Sequence, residues 1–171
     1  MLALLVPGCS GAGSTATPPR LEGNYRTFDV VVALIHNASV PLGWRSVRTW
    51  TFTRDCHPRG CTTTLHQPSI FPGSKHVYVV PLKPLDATTF LGRIDVPDDC
   101  TITYPDGRTT VLPNSWVDRK IVTLRVTRTV AGRAAAYTGT IATRFVPSAA
   151  ARAHGCRTIG YSVDKFRSLS G

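Results

Sequence analysis

The sequence predicts an all-β domain: about eight antiparallel strands in a meandering barrel or sandwich, stapled by two disulfides and with little helix. Three observations carry this. Apolar and polar residues alternate with a period of two from Tyr25 towards the C-terminus. The alternating runs are separated by turn residues, and the chain has 14 Gly and 13 Pro with which to make them. No long amphipathic helix and no strand-helix alternation interrupts the pattern, so the strands connect as hairpins and close as a barrel or pack as two sheets.

The first strand spans 28–35, where Phe28, Val30, Val32 and Leu34 alternate with Asp29, Val31, Ala33 and Ile35. Apolar residues on both faces mark a central strand. The sequon at 37–39 reads as a turn. In the second strand, 46–56, Arg48, Trp50, Phe52 and Arg54 share one face, opposite Val47, Thr49, Thr51 and Thr53. Either that face is the solvent side, with arginines lying over the rings, or it lines a cavity with cationic walls; the solvent side is the commoner arrangement. Cys56 and Cys61 face each other across a His-Pro-Arg-Gly tip, and the chain returns as a strand over 62–66.

A loop with an apolar pair, Ile70 and Phe71, follows. His76, Tyr78, Val80 and Leu82 alternate next, with Pro81 and Pro84 placing that strand at an edge or ending it. Phe90, Gly92, Ile94 and Val96 share a face in the strand over 88–96, which Pro97-Asp98-Asp99 closes. Short strands at 101–104 and 109–112 flank Pro105-Asp-Gly-Arg108. The last hairpin pairs 121–130 with 134–146 around Ala131-Gly-Arg133. Val122, Leu124, Val126 and Val130 share a face there with Arg128, opposite Tyr137, Gly139, Ile141 and Phe145. Residues 148–154 suit a helical turn or two, and Tyr161, Val163 and Phe166 are expected to pack the chain end against the barrel or sandwich.

The 171 residues suit a single domain, which at this size buries roughly two-thirds of the surface its unfolded chain would expose. There are five cysteines. Setting Cys9 aside, four permit three pairings, and the shortest-loop choice joins Cys56 to Cys61 and Cys100 to Cys156. Disulfides imply an oxidising compartment. Lys and Arg outnumber Asp and Glu 20 to 10, for a net charge of +10, which favours an anionic ligand or envelope component. The arginines are scattered singly, without the basic stripe and interleaved aromatics of a nucleic-acid binder, so no nucleic-acid partner is expected.

The N-terminus M-L-A-L-L-V-P-G is an apolar stub ending in a small residue directly before Cys9. It resembles the lipobox of bacterial lipoproteins, in which such a segment precedes a cysteine that is diacylated and becomes the new N-terminus. The resemblance implies lipidation at Cys9, a truncated signal peptide at 1–8 whose beginning lies upstream, and a partner in the cell membrane through the lipid anchor. Residues 9–22 include S-G-A-G-S-T-A-T-P-P, a flexible tether, and 23–171 form the β domain. Nothing approaches 18 consecutive apolar residues, so a membrane-spanning helix is not expected. In general plan the chain resembles the cell-envelope lipoproteins of high-GC Gram-positive bacteria, and its richness in Arg and Ala, its few Lys and its single Met agree. That resemblance transfers no catalytic residue.

Candidate chemistry is sparse. Cys56 and Cys61 have four residues between them and no second pair to match, so no metal is expected despite five histidines, and no cofactor. Adjacent Asp98 and Asp99 point apart in an extended chain and read as a turn. Neither a Gly-x-Ser-x-Gly elbow nor a His-Glu-x-x-His pair occurs, so no catalytic residue is assigned. What remains is Arg48, Trp50, Arg54 and Arg128, cationic groups on otherwise apolar faces, as candidates for ligand binding; a buried Arg needs a partner, which an anionic ligand could supply. The expected function is a non-enzymatic, membrane-anchored extracytoplasmic domain that binds a ligand or partner at the envelope. The first alternative is a lipocalin-like carrier of an anionic apolar ligand, the second a secreted hydrolase with dispersed catalytic residues.

Overall fold

Period-two alternation buries one face of each strand only if the sheet finds a second apolar surface, and here it finds itself. The computed structural model describes residues 17–35, 40–58, 60–69, 74–156 and 160–169. Gly23–Ile35 (β1), Arg45–His57 (β2), Gly60–Pro68 (β3), Val77–Pro84 (β4), Thr89–Thr103 (β5), Thr109–Val130 (β6), Arg133–Pro147 (β7) and Gly160–Ser168 (β8) each pair antiparallel with the next, and β8 returns to β1. The result is a closed eight-stranded barrel in which every strand has a paired neighbour on each side. Cys9 with the rest of the lipobox, His36, the 37–39 sequon and the Ile70 and Phe71 pair lie outside the described residues.

Both disulfides join the expected partners. Cys56 and Cys61 are directly opposite in the β2-β3 ladder, and Cys100 of β5 holds Cys156, which follows the short helix Ala149–Ala153 (α1). By loop entropy the long bridge contributes about 4 kcal/mol and the short one about 2. The Ser148 hydroxyl starts α1 by accepting from the Ala151 N–H at 3.0 Å.

Three expectations need correction. The chain end is a strand, not a packing tail: β8 closes the barrel against both β7 and β1, with Ser162, Asp164 and Phe166 buried and Tyr161 exposed. The stretch 97–99 does not end its strand, and the runs at 109–112 and 121–130 are one 22-residue strand. A register shift between Asp98 and Cys100 takes up the irregularity; opposite it, Asn114 adopts a positive φ of 50° and its N–H donates to Asp99 Oδ1 at 2.8 Å. Finally, the Arg48, Trp50, Phe52 and Arg54 face of β2 turns inward: Trp50 and Phe52 are buried while Val47 is exposed. Burying two large aromatics outweighs the awkwardness of two arginines, because each arginine falls near a barrel end where its charge finds a partner or water.

The β4-β5 ladder is the shortest, with pairs only at Leu82↔Gly92, Lys83↔Leu91 and Pro84↔Phe90. Pro81 has no N–H to extend it. Gly92 lets the strands approach at this seam, where a Cβ would lie 2.7 Å from Leu82 Cδ2. Beyond Leu82 the wall beside Tyr78 and Val80 lacks cross-strand bonds to β5.

The interior has two tiers. At the end carrying the β2-β3 and β6-β7 turns, called the floor, the rings of Tyr25, Trp50, Phe52, Tyr137 and Phe166 pack with centroids 4.7 to 6.4 Å apart. Leu65, Leu82, Phe90, Leu124 and Val126 are among the aliphatic and aromatic residues that pack into this cluster. Two hydroxyls are satisfied within it: Tyr137 Oη shares a 2.5 Å hydrogen bond with Thr27 Oγ1, and Tyr25 Oη donates to the Ala134 carbonyl at 2.7 Å. Leu21, within the expected tether, is fully buried and closes the floor, held where Arg20 N–H donates to Gly132 O at 2.9 Å and Ala134 N–H to Arg20 O at 2.8 Å.

Candidate ligand-binding site

Towards the other end, the mouth, the inward positions change character. The alternation that buries Val122, Leu124 and Val126 on β6 continues back to Lys120 and Asp118. On β8 the inward phase of Phe166 runs to Asp164 and Ser162, and on β1 that of Thr27 runs to Asp29. On β3 it runs from Leu65 to Gln67, which stands directly opposite Tyr78 of β4. Thr143 of β7 is buried opposite both Lys120 and Ser162. A second tier, built of ionisable and hydroxyl groups, therefore sits above the aromatic one.

Arg48 and Asp29 form the tier's internal clamp. Asp29 Oδ2 accepts from Arg48 Nη2 and Oδ1 from the Ser46 hydroxyl; Arg48 Nε donates to Ser46 Oγ at 2.9 Å and Nη1 to the Pro68 carbonyl. The clamp ties β1, β2 and the end of β3 together. Both side chains are nearly buried, 13% and 5% exposed, and each answers the other's charge.

The remaining groups are less well matched. Burial raises the Asp118 carboxyl to about 6, against the opposing pull of the Lys120 ammonium. Burial likewise raises Asp164 to about 6; the Asp29 charge adds to the rise, and Lys120 and Arg48 oppose it. Lys120 is pushed down by burial and held up by Asp118, Asp164 and Asp98. Its Nζ lies 4.4 Å from the centre of the Tyr78 ring, whose own hydroxyl is raised by burial and then by Asp118. Lys120 is thus the hub of the cluster, with carboxylates on β5, β6 and β8.

Gln67 Oε1, Asp118 Oδ1 and Asp164 Oδ1 are buried with no hydrogen-bond partner among the described residues. All three are acceptors. The Trp44 indole N–H, just before β2, and the Trp50 indole N–H in the aromatic tier are also unpartnered. Buried polar atoms are overwhelmingly paired in folded proteins, so three orphan acceptors in one tier mark a place that hydrogen-bond donors from elsewhere would complete. The buried carboxylates Asp29, Asp118 and Asp164 face two cations, Arg48 and Lys120, with the exposed Asp98 beside them, so this tier is locally acidic inside a chain of net charge +10.

The four candidate residues predicted from sequence are not brought together. Arg48 is in the clamp, Trp50 is in the aromatic core, and Arg54 and Arg128 line a cleft under the floor. Arg128 falls between two register shifts in the β6-β7 ladder, a bulge. Sequence reasoning did not single out Gln67, Asp118, Lys120 or Asp164, because each lies on a different stretch of the chain from the others or among polar neighbours. The usable signal was phase: extending the apolar stripe of each strand by two or four residues lands on Asp118, Lys120, Asp164, Asp29 and Gln67. The run Ser162-Val-Asp-Lys165 matches the Ser-x-x-Lys pattern of some acyl-transfer enzymes, but on β8 Ser162 is buried and Lys165 faces out, so the two cannot act together. His57, His76 and His154 are exposed, and His66 is bonded on the outer face to the Thr53 hydroxyl at 3.1 Å.

Comparison with family models, with curated proteins and with solved structures finds no match to this chain.

Proposed function

We propose that this protein is a non-enzymatic, membrane-anchored extracytoplasmic binding protein whose polar upper tier holds a small ligand rich in hydrogen-bond donors, an ammonium or polyhydroxy compound. The observation that carries the reading is the set of three buried, unpartnered acceptors at Gln67, Asp118 and Asp164. A donor-bearing ligand satisfies them, and a positive charge offsets the local excess of carboxylate. The seam above Leu82, where β4 and β5 are not bonded, lies beside Tyr78 on the wall of this tier and supports entry there. The anchor rests on the Cys9 context, and the extracytoplasmic setting on the two disulfides.

A closed barrel with a differentiated mouth also suits a lipocalin-like carrier. The occupant favoured here nevertheless differs from an anionic apolar one. Rings fill the lower interior, and carboxylates would repel an acidic headgroup above it.

The test is a chemical-shift titration of the full chain with ethanolamine, glucosamine, glycerol and palmitate as probes. An amine or polyol is expected to move the Gln67 side-chain amide saturably, and the D118N/D164N variant to lose that response. Saturable palmitate binding that survives D118N/D164N would replace this reading with the acyl carrier. For the anchor, metabolic labelling with radioactive palmitate is expected to mark the protein in a native host and to fail in Cys9→Ala; no label in the parent protein removes the anchor from the proposal.

A second reading, a hydrolase in the same tier, is favoured by two acids near 6 beside a lysine of lowered pKa. It requires turnover of a chromogenic glycoside or ester that D118N or D164N abolishes.

A further inference from the structure

We propose that the underside of the barrel floor is a second site, an oxyanion seat for a phosphate-type group, formed by Arg20, Arg54 and Arg128 around an open cleft of about 570 Å³. It is separate from the polar tier and stands whether or not that tier binds a ligand. The three arginines come from distant parts of the chain. Arg20 lies on the segment that crosses the floor, Arg54 near the end of strand β2, and Arg128 at the bulge of β6.

Thr127 and Thr129 add hydroxyl donors to the lining, the Thr88 hydroxyl beside them donates to Asp86 Oδ1 at 3.1 Å, and no carboxylate lines the cleft among the described residues. The nearby acids are committed elsewhere. Glu22 is held by Arg133 at 3.1 Å, Asp55 by His57 at 3.1 Å, and Asp86 accepts from the backbone N–H groups of Thr88 at 2.7 Å and Thr89 at 2.8 Å. Among the described residues neither Arg54 nor Arg128 has a hydrogen-bond or ion-pair partner, and Arg20 makes one long contact, from Nη2 to Ala131 O at 3.4 Å. Guanidinium groups gathered round a concavity, flanked by hydroxyls and without a counter-charge, match the tetrahedral oxygens of phosphate.

The position of the cleft indicates where such a group would come from. Thr17, Pro18 and Pro19 line it, and seven residues separate Thr17 from Cys9, a reach of roughly 30 Å when extended. With Cys9 lipidated, the floor is the end of the barrel tethered to the bilayer, within reach of phospholipid headgroups. A soluble phosphate compound offers the same chemistry.

Two assays on the full chain separate the sources. In the first, the arginine Nε–H signals are followed as inorganic phosphate is added. In the second, the protein is sedimented with vesicles of phosphatidylglycerol and phosphatidylcholine, and with phosphatidylcholine alone. Saturable shifts at Arg54 and Arg128 with phosphate assign a soluble ligand; binding only to the anionic vesicles assigns a headgroup; either supports the site. The R54Q/R128Q variant is expected to weaken the interaction about tenfold, and the charge-matched R93Q/R144Q variant, altered on the exposed barrel wall, less than about twofold. Equal losses in both variants, or no response to phosphate and to anionic vesicles, would overturn the proposal. Should R54Q/R128Q fail to fold, the titration of Arg54 and Arg128 in the parent chain decides.

Discussion

On β6, Val122, Leu124 and Val126 point into one half of the barrel and Lys120 and Asp118 into the other, along one unbroken alternation. The lower half is a packed set of rings whose hydroxyls are bonded to Thr27 or to backbone. The upper half holds a clamped ion pair together with carboxylates and a lysine that burial pushes towards their neutral forms. Barrel closure buries inward positions whatever they carry. Where they are apolar, burial stabilises the fold; where they are ionisable it costs stability, and a protein keeps such groups for something other than stability.

The largest expected effect tests the lower tier. Trp50→Ala should cost about 4 kcal/mol in urea unfolding, because a fully buried ring at the centre of the cluster leaves a cavity the barrel cannot close. The loss should be equal at pH 5 and pH 8, since the Tyr137 and Phe166 rings packed on it do not change charge in that range. A loss under about 1 kcal/mol would mean that this tier is not the packed half.

The next effect contrasts arginines of the two ends. Arg48→Leu strands Asp29 as a buried unpaired carboxylate and should cost about 3 kcal/mol, whereas Arg128→Leu, exposed on the floor, should change stability by less than about 0.5 kcal/mol. Equal effects in thermal unfolding would dissolve the distinction between a structural and a free arginine.

The smallest effect is a gain, and it depends on pH. Burial raises the Asp118 carboxyl from its ordinary 3.8 in the unfolded chain to about 6 in the barrel, so its protonated form is favoured there. That contribution is complete below about pH 4 and is lost as pH rises through 6, after which the ionised group weighs against the fold. Asp118→Asn should therefore stabilise by about 1 kcal/mol at pH 8, allowing for residual solvent around the carboxyl, and by nothing at pH 4. A Tm difference that does not vary between those pH values would show that the upper tier is solvated rather than buried.

Much of the fold was legible. Alternation and turn residues located most strands, and cysteine spacing named both disulfide partners, because these signals are local or nearly so. The errors have physical sources. Pro97-Asp98-Asp99 carries turn chemistry, yet cross-strand pairing with a long partner turned it into a bulge. The chain end from 160 onward has Ser162 and Asp164 on its inward face, so its strand lacks a clear apolar stripe until it is set against β1 and β7. The candidate site was the least legible part. Arg48, Trp50, Arg54 and Arg128 stand out in the sequence as charge among apolar residues, while Asp118, Lys120 and Asp164 sit next to other polar or charged residues and only the barrel's closure turns them inward.

By itself the sequence determined the class of structure: a β chain, its turns and its two disulfide pairings. Those follow from a residue's neighbours and from loop entropy. Tertiary structure alone decided that the sheet closes, that the Arg48 face of β2 turns inward, that carboxylates from β6 and β8 meet a lysine inside, and that three arginines gather beneath the floor. The reason lies in geometry. Period-two alternation says which residues share a face, but only the pairing of β8 back to β1 makes one face an interior, and only the strand registers set which inward residues stand at the same height.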